Sequence, residues 1–235
     1  MVVDDIKRDL SAKRDSTKAK ELARFFKTGK GEYEEGDMFL GVPVPEIRKV
    51  IKPYIAGATW RDIDELLESS IHEHRFAGLV ILVKLFEKGA PEVKAYIANY
   101  YLDMTQYINN WDLVDVSAPK IVGKWWYEQK QFDAPLDLVE SDDLWEQRIA
   151  ILATFAFIRE NHFETTLAIA KKFLAHEHDL IHKATGWMLR EVGKKDEKVL
   201  IEFLEIHAQD MPRTMLRYAI ERLSPAQREK YMKKA

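Results

Sequence analysis

Apolar positions recur three and four residues apart along most of the chain. Phe76, Leu79, Val80, Val83 and Phe86 form one such series, and Ile149, Leu152, Phe155 and Ile158 another. This is the period of an amphipathic helix, and strand-like alternation of useful length is missing. Polar capping and turn signals divide the series: Glu68-Ser69-Ser70, Asn109-Asn110, Ser141-Asp142-Asp143 and Gly193-Lys194-Lys195-Asp196. The least regular stretch, Gly29 to Pro45, holds four Gly and two Pro and reads as a loop after an N-terminal helical pair. The pattern predicts helix after helix, an all-α chain.

An internal repeat emerges when helices are aligned on a charged residue followed by an apolar one and a small one. The units are Arg75-Phe76-Ala77, Asp115-Val116-Ser117, Arg148-Ile149-Ala150, Lys183-Ala184-Thr185 and Arg217-Tyr218-Ala219, with anchors 40, 33, 35 and 34 residues apart. Each interval has room for two helices, the period of helical solenoids such as HEAT-like arrays. Small residues let helices approach closely while large apolar neighbours fill the contact. The competing explanation is a chance alignment of ordinary amphipathic helices. In a solenoid the anchors line one surface, so the column would read Arg75, Asp115, Arg148, Lys183, Arg217. A mainly basic row of this kind suits a polyanion such as a nucleic-acid backbone. Taken singly, each charge reads more readily as one that merely begins its helix and is solvated or paired.

Composition narrows the classes without choosing among them. Apolar residues are 46% and charged residues 32% of 235, an ordinary globular balance. Cysteine is absent, which removes disulfides, thiolate metal sites and cysteine nucleophiles. The apolar stretch ending at Lys84 is far short of the ~20 residues of a bilayer span. The N-terminus, with Asp4, Asp5, Lys7 and Arg8, lacks a secretory pattern, so a cytoplasmic protein without membrane association is expected. Net charge is −3, but from Lys171 onward 14 Lys+Arg stand against 10 Asp+Glu, leaving the earlier part acidic.

Two tryptophans share helical faces with anchors. Trp111 lies four residues before Asp115, and Trp187 four residues after Lys183. Aromatic faces beside a carboxylate can hold a cation or a base edge. Trp60, Trp125, Trp126 and Trp145 read as packing residues. Metal chemistry is not expected: His72-x-His74 and His176-x-His178 place imidazoles two apart, off a common helix face. A Schiff-base role for Lys183 or Lys120 has no support, and no phosphate-cradling glycine motif occurs.

Asn110-Trp111-Asp112-Leu113-Val114-Asp115, then Leu144-Trp145-Glu146-Gln147-Arg148-Ile149-Ala150-Ile151-Leu152, then Lys183-Ala184-Thr185-Gly186-Trp187-Met188-Leu189-Arg190-Glu191, resemble the bacterial AlkD-type DNA alkylation repair glycosylases in order and spacing. Phe39-Leu40-Gly41-Val42-Pro43-Val44-Pro45-Glu46-Ile47-Arg48 resembles that family's early helix-loop region. The likeness runs from about residue 20 to 225. It implies a curved superhelical stack of HEAT-like antiparallel helix pairs. One α-solenoid domain would span 1–235, with N-terminal helices over 1–50 and repeats over about 55–225. It also implies hydrolytic release of positively charged alkylpurines, N3-alkyladenine and N7-alkylguanine, from double-stranded DNA by a monomer without cofactor or metal.

Carried over, the catalytic carboxylate falls on Asp115, the cleft tryptophans on Trp111 and Trp187, and the cleft arginine on Arg148. Arg148 would keep Asp115 ionised and contact a phosphate. Arg75, Lys183, Arg190, Arg217 and Phe25 are expected along the DNA. Phe25 stands where family members carry a tyrosine, so a hydroxyl is lost and the aromatic face kept. A non-catalytic module of this fold that binds damaged or branched DNA is the nearest alternative; it should lack the carboxylate or a tryptophan. A protein-interaction scaffold would present an apolar or mixed-charge face instead of the basic column.

Overall fold

The structure is a computed structural model that describes residues 1–234. The described residues are helical, with no strand beyond an isolated parallel bridge between Met38 and Ile71. They divide into two compact units, Met1–Ser117 and the chain from Ala118 onward.

The first unit contains α1 (Val2–Ser11), α2 (Ser16–Phe25), α3 (Val44–Ile51), α4 (Trp60–Leu67), α5 (His72–Lys88), α6 (Pro91–Asp103) and α7 (Trp111–Ser117). Its centre is α5, apolar on nearly every side and buried from His72 to Val83. A helix with apolar residues all round must be enclosed, and α3, α4, α6 and α7 enclose it. Each fully buried Leu, Ile or Val there contributes roughly 1.5–3 kcal/mol from leaving water. Short polar side chains start the helices. Asp15 accepts from the Thr17 and Lys18 amides, and Thr59 forms a reciprocal cap with Asp62. The expected loop runs from α2 to α3. It turns through Gly31, Gly36 and Gly41 at positive φ, and an added Cβ at Gly41 would lie 2.2 Å from the Asp15 carbonyl oxygen.

The second unit contains α8 (Val122–Glu128), α9 (Ala134–Val139), α10 (Leu144–Arg159), α11 (Glu164–Lys172), α12 (Asp179–Lys195), α13 (Glu197–His207), α14 (Arg213–Ala219) and α15 (Pro225–Lys234). Here α10 packs on α8, α9, α11 and α12, while α12 packs on α13 and α14. Asp143 starts α10 and Asp196 starts α13 by accepting backbone N–H groups. The break expected over Gly193-Lys194-Lys195-Asp196 falls at its last residue, Asp196, while Gly193 itself lies inside α12, where a Cβ would meet Leu200 at 2.4 Å.

The small member of every repeat triplet is buried: Ala77, Ser117, Ala150, Thr185 and Ala219. The charged member varies in its setting, which bears on the site. No helix among the described residues is long and apolar enough to cross a membrane.

Candidate functional site

In the first unit, α7 carries Trp111 and Asp115 one turn apart, both half-buried. The back of α7 is pinned. The fully buried Tyr101 of α6 has its hydroxyl 2.9 Å from Ser117 Oγ, which donates to the Leu113 carbonyl at 2.5 Å. Burial, aided by the nearby Asp115 charge, raises the Tyr101 pKa and keeps its phenol neutral. Asp115 is thus presented from a helix whose other side is locked.

Trp111 belongs to an aromatic tier that the sequence reading missed. Its ring stacks on Phe26 at 5.1 Å and 19°, and Phe26 stacks on Phe39 at 5.1 Å. Phe25 meets Trp111 edge-on at 5.9 Å and is 64% exposed. The rim of the tier is therefore open aromatic surface, and its base is closed. Phe25-Phe26 stands as a pair in the sequence, but only the end of α2 shows that one ring faces out and the other in.

Behind the tier lies a buried ionic cluster. His72 Nε2 is 2.9 Å from Asp112 Oδ2, and Nδ1 is 3.5 Å from Asp37 Oδ2. Arg75 donates to Asp37 at 2.5 Å and to the Ser69 carbonyl at 2.9 Å. Burial by itself would lower the His72 pKa, but Asp112 and Asp37 prevail and push it up to about 9. Glu34 is buried beside Asp37; burial and that neighbouring charge push its pKa up to about 10, so it is a neutral acid. The sequence weighed His72 only as a metal ligand and Asp112 only as part of a motif.

Arg75 departs from its expected place on a DNA-facing row. It is 3% exposed and its guanidinium is engaged by Asp37 and Ser69. A buried guanidinium needs such partners, and they leave it no route to a phosphate. His74 faces elsewhere, with Nδ1 2.9 Å from Ser69 Oγ.

In the second unit, Arg148 is also buried, at 4% exposure, and donates to the Leu180 carbonyl at 2.8 Å. That bond braces α10 against the first turn of α12. Trp187 is half-buried, its ring 6.1 Å from Phe155, and its indole N–H donates to Glu191 Oε1 at 3.2 Å. Glu191, mostly buried, also pairs with Lys194 at 2.6 Å and Arg190 at 3.6 Å. It fixes the indole's orientation, a role the sequence reading overlooked. Lys183 pairs with Asp179 at 2.7 Å and Arg190 with Glu221, while Arg217 is exposed. His176 contacts Gln147 at 2.8 Å and His178 accepts from the Leu180 amide. No group of three metal-ligating side chains occurs among the described residues. Trp126 and Trp145 are buried as expected, but Trp60 is partly exposed against Tyr96.

The chain matches a family described as DNA alkylation repair enzyme over residues 6–223. Its fold is similar to that of a solved structure, a predicted DNA alkylation repair enzyme from Enterococcus faecalis. The TM-score is 0.72 at 15% identity, over 90% of this chain and 97% of the other. No curated protein sequence matches it.

Proposed function

Since this chain belongs to the family of DNA alkylation repair enzymes, we propose that it hydrolyses the N-glycosidic bond of cationic alkylpurines in duplex DNA. N3-alkyladenine and N7-alkylguanine are the substrates. The observation that carries this reading is the pairing on α7. Asp115 sits one turn beyond Trp111, whose ring is backed by Phe26 and flanked by the exposed Phe25.

Alkylation at N3 or N7 puts a positive charge on the purine and makes it a good leaving group, so little acid assistance is needed at the base. The demand moves to the sugar, where oxocarbenium character develops and water must be positioned. An ionised carboxylate meets both needs. Asp115 has this role. In the first unit Trp111 offers its ring face to the cationic nucleotide; in the second unit Trp187 presents an aromatic face of its own. Phe25 extends the aromatic surface. Lys183, Arg190 and Arg217 contact phosphates; the first two exchange Asp179 and Glu221, whose solvent-facing pairings are weak. Arg148 holds the first turn of α12, the helix that bears Lys183 and Trp187.

The test is release of 7-methylguanine from methylated duplex DNA. Asp115→Asn should reduce the rate by at least ~100-fold, the scale of losing a key electrostatic group. Undiminished release would remove Asp115 from the mechanism. DNA binding by the wild-type chain without base release would favour the non-catalytic alternative.

A further inference from the structure

We propose that His72, held between Asp37 and Asp112 beneath the aromatic tier, is a positioning residue for Trp111. Its bound proton acts as the switch that sets the tilt of the first turn of α7. The catalytic consequence rests on the function proposed above; the positioning does not.

Two physical links join His72 to Trp111. One is through the backbone. Asp112 directly follows Trp111 in the first turn of α7, and its Oδ2 is 2.9 Å from His72 Nε2. The other is through rings. His72 lies 4.7 Å from Phe39 and 5.1 Å from Phe26, and Phe26 stacks on Trp111. A cationic imidazole gains from both aromatic faces and both carboxylates.

The charged groups facing His72 are Asp37 from the loop before α3, Asp112 from α7 and Arg75 from its own helix; Glu34 adjoins them and is neutral. With His72 protonated, two carboxylates meet two cations. Once it loses its proton, Asp37 and Asp112 share Arg75 alone, and Arg75 is bonded to Asp37. Asp112 is then a mostly buried carboxylate deprived of its cationic partner, an arrangement that is unfavourable unless the helix turn shifts toward water. Such a shift carries Trp111 with it.

The experiment reads Trp111 directly. Emission of Trp111 is taken as the difference between the wild-type chain and Trp111→Phe, followed from pH 6.5 to 10. A transition with its midpoint near pH 9 is expected, the value to which the carboxylates raise His72, ahead of Glu34 at about 10. Asp112→Asn should move the midpoint down by at least ~1 unit, since Asp112 is the main charge holding the proton. His72→Gln keeps a donor toward Asp112 and should abolish the transition. In base release, His72→Gln should lower kcat by ~10-fold and leave KM within about twofold, because a misplaced wall impairs the reacting geometry while phosphate contacts are kept.

A pH-independent Trp111 signal in the wild type would overturn the proposal. So would His72→Gln with lowered melting temperature but unaltered Trp111 emission and kcat. If His72→Gln does not fold, the wild-type and Asp112→Asn titrations decide. Absence of base release in the wild type would defeat the glycosylase reading while leaving the emission titration to judge this one.

Discussion

Glu73 is 1% exposed, and its carboxylate accepts the backbone N–H groups of Leu40, Gly41 and Val42 at 2.9, 2.8 and 3.2 Å. One side chain of α5 thus satisfies a whole turn of the loop that leads into α3. Charged acceptors make the stronger bonds, and a buried donor left unmade costs ~1–3 kcal/mol. Glu73→Ala should therefore lower stability by roughly 3 kcal/mol or more, read as a fall in denaturation midpoint at constant slope. A change below about 1 kcal/mol would mean that the loop finds other acceptors. Nothing in the sequence marks Glu73, since its partners lie some 31 to 33 positions earlier. The same holds for the Arg75–Asp37 pair, 38 positions apart. Arg75 looked like a surface cation because burial of a charge is decided by partners that local spacing does not reveal.

The helices themselves were legible. Their period, the Asp143 and Asp196 caps and the glycine-rich break before α3 are local properties, and local energetics set them. Less legible was how closely two helices approach. Gly186 lies against α14, where an added Cβ would be 2.4 Å from the Met215 carbonyl oxygen and 2.6 Å from Tyr218 Cβ. Backbone on the far side cannot yield as a flexible side chain would. Gly186→Ala should thus destabilise by ~1–3 kcal/mol, the usual penalty of overpacking, although alanine favours helix by propensity. Thermal unfolding checks this, and a neutral or raised melting temperature would show α14 free to move outward. Because Trp187 is the next residue, the same change should also disturb its hydrogen bond to Glu191.

Stability of the whole chain should depend on pH through groups in the first unit. Folded His72 retains its proton to about pH 9 and Glu34 to about pH 10, whereas an unfolded chain releases them near 6.5 and 4.5. The folded state therefore binds more protons in these ranges, and stability falls as pH rises. The loss from Glu34 begins at 4.5 and that from His72 at 6.5. His74 acts the other way: burial, with Lys7 nearby, lowers its pKa to about 4, so its contribution grows as pH climbs from 4 to 6.5. The opposed slopes of His74 and Glu34 nearly cancel below 6.5. Above it, His72 and Glu34 act together. Denaturant unfolding at pH 6, 7, 8 and 9 should show stability decreasing at each step after the first. A flat series would mean that the cluster is hydrated and that His72 and Glu34 both titrate near their unfolded values.

By itself the sequence determined that the chain is all-α, that its helices recur in pairs with a small residue turned inward, and which blocks resemble a repair family. Period, caps and motif order are properties of neighbours along the chain. Only the tertiary structure decided that Arg75 and Arg148 are buried braces, that Phe26 stacks between Phe39 and Trp111, and that Glu191 orients Trp187. Each of those outcomes depends on a partner brought from another helix or loop into a place without water, where a charge must be paired and a ring must be packed.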